Sequence, residues 1–443
     1  VKKTRADSLL APPLWQEPLG DAFPSYGRRE GIADTVVVGG GLAGLSAAFH
    51  LLAAGPGRRV VVLERDRVGS GATARSTGML TPGVGQNLRS LVRRVGRARA
   101  AAMYRETLRA VTYVRELTER EGIDCELRMS GQLIVARGRS GERRIDALAA
   151  LLDELDLPGE RLGNAALASL IRLQSSRGLR LPIAGTLHPG RLARGLAKAV
   201  VGRGGAIYER SRVESVGPGQ PATVVLASGG RIVADHVVLA AGGYTPGLGF
   251  LRGRVLPLHL SVLLTEPLSR DSLASLGWHG REGVIDSRRI FDYFRLTEDD
   301  RVLFGGGLPR YLWGGATDDE GRDRESDRAV RALEAEMRGI FPPDVRVAVE
   351  RAWTGVIDYV VDALPVIERL RSRPAVLCAS GFCGHGIALS VRSGAWIRDR
   401  IDGVSLPSEL PWFRDRAPLV PTELGRSLGI PIGVRALQCL DRL

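Results

Sequence analysis

Residues 35–38, Thr-Val-Val-Val, form a short apolar run that stops at Gly39. A run this short, bounded by glycine and rich in β-branched residues, predicts a buried strand. The rhythm then changes, because Leu45 to Ala54 is apolar on nearly every side and closes on Gly55, which predicts a buried helix. After a turn at Pro56-Gly57, Val60 to Leu63 repeats the strand pattern and ends on Glu64. Strand-type runs recur at 206–209 and 237–239, with helical runs at 191–201 and 387–400. The long stretches between them read differently. Residues 98–121 and 146–155 are helical, while Arg254–Thr265, Ile290–Leu296 and Arg301–Phe304 alternate like antiparallel strands. Gly305-Gly306-Gly307 follows a strand but leads into Pro309-Arg310-Tyr311, which suits a bulge or turn. The tail from 406 is punctuated by prolines and predicts a helix only from about Val434.

The strand–glycine–helix–strand order at 35–64 has a mechanical meaning. Gly39, Gly41 and Gly44, with Leu42 and Ala43 between them, make a Gly-x-Gly-x-x-Gly turn. Gly39 permits the tight turn, Gly41 lets the backbone approach a pyrophosphate, and Gly44 lets the helix lie close on the strand. The unpaired N–H groups at the helix start then face the phosphates. Glu64, twenty residues beyond Gly44, is placed to accept from ribose hydroxyls and to repel a 2′-phosphate. A dinucleotide other than NADP is therefore expected.

Length and charge narrow the picture. At 443 residues the chain suits two intertwined domains rather than one core. The net charge of +13 comes almost wholly from arginine, with lysine only at positions 2, 3 and 198. Those arginines are interleaved with acids, as in Arg322-Asp323-Arg324-Glu325, so a solvated surface is expected and no nucleic-acid partner. Lys198 lies in a helical run far from any motif, which argues against Schiff-base chemistry. Cys125, Cys378, Cys383 and Cys439 lack metal-ligand spacing, and no metal site is expected. No apolar run approaches membrane length and the N-terminus has no signal-type core, so a cytoplasmic location is expected.

Beyond Glu64 the chain resembles the D-amino-acid oxidase superfamily of FAD-dependent amine oxidoreductases. Four stretches carry the resemblance: Gly69 to Pro82, with Gly78-Met79-Leu80-Thr81-Pro82 like the glycine-oxidase version; Gly185-Thr186-Leu187-His188-Pro189; Val237 to Gly243; and Trp353-Thr354-Gly355 through Asp362-Ala363-Leu364-Pro365 to Gly381-Phe382-Cys383-Gly384-His385-Gly386. The Leu14-Trp15 arm and the C-terminal pattern look most like the gamma-glutamylputrescine oxidoreductase branch. The likeness runs from about residue 14 to 405. It implies an α/β fold in which a Rossmann-type FAD-binding domain (28–88, 180–250, 350–405) is interleaved with an α+β substrate domain on an antiparallel sheet (89–179, 251–349). An N-terminal arm (1–27) and a C-terminal tail (406–443) flank them.

The same resemblance implies oxidation of a C–N bond to an imine by hydride transfer to flavin N5. The partners are a small-molecule amine and oxygen or another electron acceptor. It places cofactor contacts at Arg65, Ala72, Thr73, Arg75, Ser76, Thr77, Gly78 and Met79, at Val213, at Ala241 and Gly242, and at Gly384, His385, Gly386 and Ile387. The helix opening at Gly384-His385-Gly386 can meet negative charge on reduced flavin with its amides. His385, Tyr293 and His259 are the candidate catalytic or substrate-facing groups, and ordinary sheet packing is the competing role for the last two. The family's attachment cysteine falls at Ala352, and no histidine lies between Gly69 and Pro82, so FAD is expected to be noncovalent. An oxygen-activating lysine of sarcosine oxidases falls near Leu303, leaving oxidase or dehydrogenase open. Carboxylate-binding residues fall at Ile357 and Ala388, which points to an amine without the usual carboxylate clamp. Asp358 is either an attractor for a cationic substrate or a solvated loop carboxylate, and Arg288, Arg289 or Arg295 can restore the clamp. An NAD(P)H-dependent flavin hydroxylase and a nonenzymatic flavin-binding protein are the alternatives.

Overall fold

The structure is a computed structural model that describes residues 12–16, 20, 22–317 and 324–442. The N-terminal lysines and the Arg322-Asp323 pair lie outside the described residues. Two eight-stranded sheets organise the described residues.

The first sheet runs Val366–Arg369, Val376–Ser380, Arg231–Leu239, Glu30–Val38, Val60–Leu63, Ala206–Tyr208, and Ala222–Leu226 and then Val213–Val216 branch from Arg231–Leu239 as an antiparallel flap. Four of its junctions are parallel, with Val37 beside Val62 on one side and Val238 on the other. Such strands are covered on both faces, which is why they read as unbroken apolar runs. The helix Leu42–Ala54 covers one face, and Gly386–Ile401 crosses it. A Cβ on Gly394 would overlap the backbone of Ser46, so only glycine permits this crossing. Ser46 Oγ also donates to the Val391 carbonyl, locking the pair.

The second sheet runs Val349–Tyr359, Leu256–Pro267, Arg301–Tyr311, Tyr293–Leu296, Gly283–Asp286, Gln132–Val135, Gly178–Leu181, Glu160–Leu162. It is antiparallel except where Gly283–Asp286 runs parallel to Gln132–Val135. The strand containing Gly305 to Gly307 continues to Tyr311 rather than turning. Gly306 and Gly307 take positive φ there, opposite the irregular register between His259 and Ser261. Residues 350–359, expected with the cofactor domain, instead pair along Leu256–Pro267. Residues 178–181 form a single strand of this sheet, so the expected boundary at 180 cuts through an element. The C-terminal helix spans Glu423–Arg442 and carries Pro431 inside, so it begins well before the expected Val434. Proline removes one helical hydrogen bond but need not end a helix anchored at both ends.

Buried histidines give this fold a pH signature. His50 sits between Ser46 and Tyr113, and His188 caps the helix Pro189–Gly202 by accepting from Arg191 N at 3.1 Å. Burial, reinforced by nearby arginines, pushes each ring down to about 4. Unfolded histidine titrates near ~6.5. Between those values the unfolded chain binds protons that the folded chain refuses, so stability rises with pH across this window and is lost on acidification, by roughly 2–3 kcal/mol per ring. The melting temperature should therefore fall steadily from pH 6.5 to 4. His188→Asn, which keeps a helix-capping acceptor, should flatten that fall; an unchanged slope would contradict the assignment.

Candidate active site

The glycine turn is built as the sequence requires. Gly39 has φ +113°, and a Cβ there would lie 2.5 Å from the Ala240 carbonyl oxygen. The end of Arg231–Leu239 thus abuts the turn and brings Ala241 and Gly242 beside it. A Cβ on Gly44 would strike the Gly39 carbonyl and sit 3.1 Å from Val37 Cγ1. Gly41 caps the helix Leu42–Ala54 without any side-chain cap bond. The helix Gly386–Ile401, capped by His385, also lacks a side-chain cap. The two helices cross at Ser46 and Gly394, and each start lacks a side-chain cap, the kind of end that receives negative groups.

Glu64 is placed at the strand end, but its carboxylate is partly occupied by accepting from Gly40 N at 2.7 Å and Asp66 N at 2.9 Å. Burial raises its pKa, and those two amides oppose the rise. A carboxylate has about four acceptor directions, so room remains for hydroxyl donors. Arg65 lies at the exposed rim, its guanidinium 4.7 Å from the Tyr244 ring centre.

The segment after the acid is pinned from three directions. Gln16 donates to Ser70 O at 2.7 Å, Trp15 to Ser76 O at 2.8 Å, and Trp353 to Arg75 O at 3.0 Å. Arg75 donates to Ser70 O and Thr354 O, so its side chain ties the loop to the second sheet. Thr73 Oγ1 faces Leu42 N at 3.4 Å, and Ala72 to Arg75 form one helical turn. Ser76 Oγ donates to Thr73 O at 2.9 Å, and Thr77 is buried. Gly78, at φ +77°, passes the Leu187 carbonyl so closely that a Cβ would collide with it. Met79 pairs with Thr186 in a two-stranded ribbon, and Val213 is buried beside Leu226 at the sheet margin. Trp15 and Trp353 as loop anchors escaped the sequence reading, although tryptophans flanking a family motif were visible.

The second sheet presents one face to this loop. Alternation puts Val262, Leu264, Leu303 and Trp353 on that face in a cluster with Ala74 and Trp15. Tyr293 lies on the same face over Gly305, where a Cβ would lie 2.5 Å from its ring. Phe291 sits 6.0 Å from Tyr293 and meets His385 edge-on at 6.2 Å. Ile357 extends to within 4.0 Å of the position a Gly384 Cβ would take. Burial lowers the pKa of His385 and raises that of Tyr293 to about 12, so both rings are neutral near pH 7.

Several expected positions fall elsewhere. His259 alternates with the facing residues, so it shares the opposite face with Leu263 and bonds Ala316 O at 3.0 Å. Ala352 is likewise on that far face. Asp358 is neither a solvated loop carboxylate nor open to substrate. It is buried on Val349–Tyr359 and accepts from Gly381 N at 2.6 Å and Ser380 Oγ at 3.2 Å, with burial raising its pKa. Its role is to hold the turn before Gly384, and Ser380 Oγ also reaches Gly242 O. Cys383 is a small buried residue at φ +53° whose thiol is pushed upward by burial. Among the described residues no cluster of His, Cys, Asp or Glu can hold a metal, and no helix is long and apolar enough to cross a membrane.

The sequence profile of the family described as FAD dependent oxidoreductase, DAO, matches residues 34–400. The chain belongs to this family. It is an FAD-dependent oxidoreductase, and the fit of the glycine turn, Glu64 and the two helix starts agrees with that cofactor. The chain is 30% identical over 431 residues to gamma-glutamylputrescine oxidoreductase of Escherichia coli K12, covering 93% of each protein. It is 29% identical over 430 residues to the probable oxidoreductase OrdL of Haemophilus influenzae, covering 93% of this chain and 92% of that one. The crystal structure of glycine oxidase from Geobacillus kaustophilus superposes with a TM-score of 0.71 at 21% identity, over 87% of this chain and 98% of that one, which shows the shared fold.

Proposed function

We propose that this DAO-family enzyme oxidises the C–N bond of an amine whose reacting end carries no carboxylate. The observation that carries the reading is the wall opposite Gly384. It is made of Ile357, Tyr293, Phe291 and neutral His385, and none of these is a cation. The arginines considered for restoring a clamp are engaged. Arg288 pairs with Asp286, Asp292 and Glu336, and Arg289 with Asp441. Arg295 is buried and donates to Leu187 O at 2.6 Å and Leu296 O at 3.1 Å. A 30% identical relative is named for gamma-glutamylputrescine, an amine, and others for glycine.

Bound FAD supplies the two-electron acceptor. The chain's own residues orient the amine and exclude water. Tyr293, Phe291 and Ile357 line the substrate side, and the amides of Gly386 and Ile387, at a helix start, would hold the electron-rich edge of bound FAD. His385, held neutral, contributes through its backbone and its edge contact with Phe291. Desolvation in this wall disfavours ammonium, so the neutral amine is retained without a protein base. Flavin reduction under anaerobic conditions should accelerate as pH rises through the bound amine's titration and then level off; a rate flat across that range would contradict it.

FAD is held noncovalently. The family's attachment cysteine aligns with Ala352, which carries no thiol and lies on the far face of the sheet, and Gly69 to Pro82 lacks histidine. Acid precipitation should release all the yellow colour to the supernatant, and colour that stays with the pellet would refute this.

A further inference from the structure

The C-terminal helix Glu423–Arg442 is anchored at both ends to the part of the second sheet that carries Tyr293. At its start, Glu423 accepts from Gly314 N at 2.7 Å and Tyr311 OH at 3.1 Å. Those residues close the strand Arg301–Tyr311, whose Gly305 lies opposite Tyr293. At its end, the Asp441 carboxylate, 4% exposed, accepts from Arg289 N at 2.8 Å and Ile290 N at 3.2 Å and pairs with Arg144 and Arg289. Arg289 Nη1 also reaches Leu440 O at 3.2 Å.

An acid in the last turn of a helix opposes the negative end of the helix dipole. Asp441 therefore gains nothing from its own helix, and its stabilising partners all come from outside it. Two of them are backbone amides at the tip of the loop 287–292, directly before Phe291. The base of that loop is held separately by Asp286, which accepts from Arg288 N at 2.9 Å and Asp292 N at 3.2 Å. The tip depends on Asp441. Phe291 in turn bridges Tyr293 and His385.

We propose that Asp441 is a positioning residue for the active site: by capping Arg289 and Ile290 it sets Phe291 against His385, so the C-terminal helix governs amine affinity. This rests on the reading of Tyr293, Phe291 and His385 as the substrate wall. The helix is thus a component of the site rather than an appended tail.

The test uses the FAD-loaded full chain bearing Asp441→Ala or Asp441→Asn, with Asp402→Ala as control, since Asp402 forms a distant ion pair with Arg58. Anaerobic flavin reduction by an amine gives a half-saturating concentration and a limiting rate. Trypsin cleavage after Arg288 or Arg289 reports the loop without any substrate. Asp441→Ala should raise half-saturation at least fivefold with the limiting rate within twofold, and should expose the loop to trypsin. Asp441→Asn, which keeps an acceptor oxygen, should recover most of both effects, and the control should show neither. Unchanged half-saturation overturns the proposal, whether or not the melting temperature falls. A wild type that no amine reduces would instead sink the functional reading; trypsin resistance of the loop in Asp441→Ala would then overturn the proposal on its own.

Discussion

Replacing Gly44 with alanine should yield protein that purifies without flavin. The added Cβ would collide with the Gly39 carbonyl, a backbone atom with no rotamer to escape into, and would press on Val37. The helix Leu42–Ala54 must then lift away from the turn, taking its first amides out of reach of a pyrophosphate. Overpacking of this kind costs about 1–3 kcal/mol of fold stability. Misplacing those amides adds directly to the loss in cofactor affinity if, as proposed, they receive the pyrophosphate. A drop in bound FAD of at least tenfold is expected, read as the ratio of flavin to protein absorbance after dialysis. Gly202, whose added Cβ would meet nothing within 4 Å, supplies the control, and Gly202→Ala should keep its FAD. Full flavin content in Gly44→Ala would remove the glycine turn from the cofactor site.

The second large effect concerns substrate choice. Glycine, sarcosine, D-alanine and D-proline should reduce the flavin at least a thousandfold less efficiently than putrescine derivatives or larger secondary amines. A carboxylate brought against Ile357 would lose its water without gaining a partner. The cost of leaving such a charge unpaired is several kcal/mol, on the order of ~4, and ~1.4 kcal/mol is a factor of ten. The converse variant sharpens the test. Ile357→Arg places a guanidinium on the facing side of the sheet, where it can offer a carboxylate two parallel hydrogen bonds. Reduction by the small amino acids should rise in that variant while reduction by the amine falls. Efficient turnover of the simple amino acids by the wild type would refute the carboxylate-free reading and leave the family untouched.

The dinucleotide unit was legible because its determinants are local. Gly39, Gly41, Gly44 and Glu64 act on neighbours within one strand–helix–strand passage, and each residue type answers a constraint set by the adjoining backbone. The interleaving of two domains followed from the distances between motifs, which no loop spans. Side-chain direction did not follow. A one-residue shift in register exchanges the faces of a strand, so nothing near His259 shows that it points away from the cofactor loop while Val262 points toward it. That outcome is decided by ten pairings with Val349–Tyr359, nearly a hundred residues further along the chain. The same pairing moves 350–359 out of the cofactor sheet and buries Asp358 against Gly381. The C-terminal helix shows the limit from another side. Its own sequence contains Pro431 and three glycines, poor helix formers, and what holds it is Glu423 on Gly314 and Asp441 on Arg289 and Ile290. Local sequence thus determined the glycine turn, whereas the wall proposed to face the substrate was decided by long-range pairing, because its residues become neighbours only once the sheets have formed.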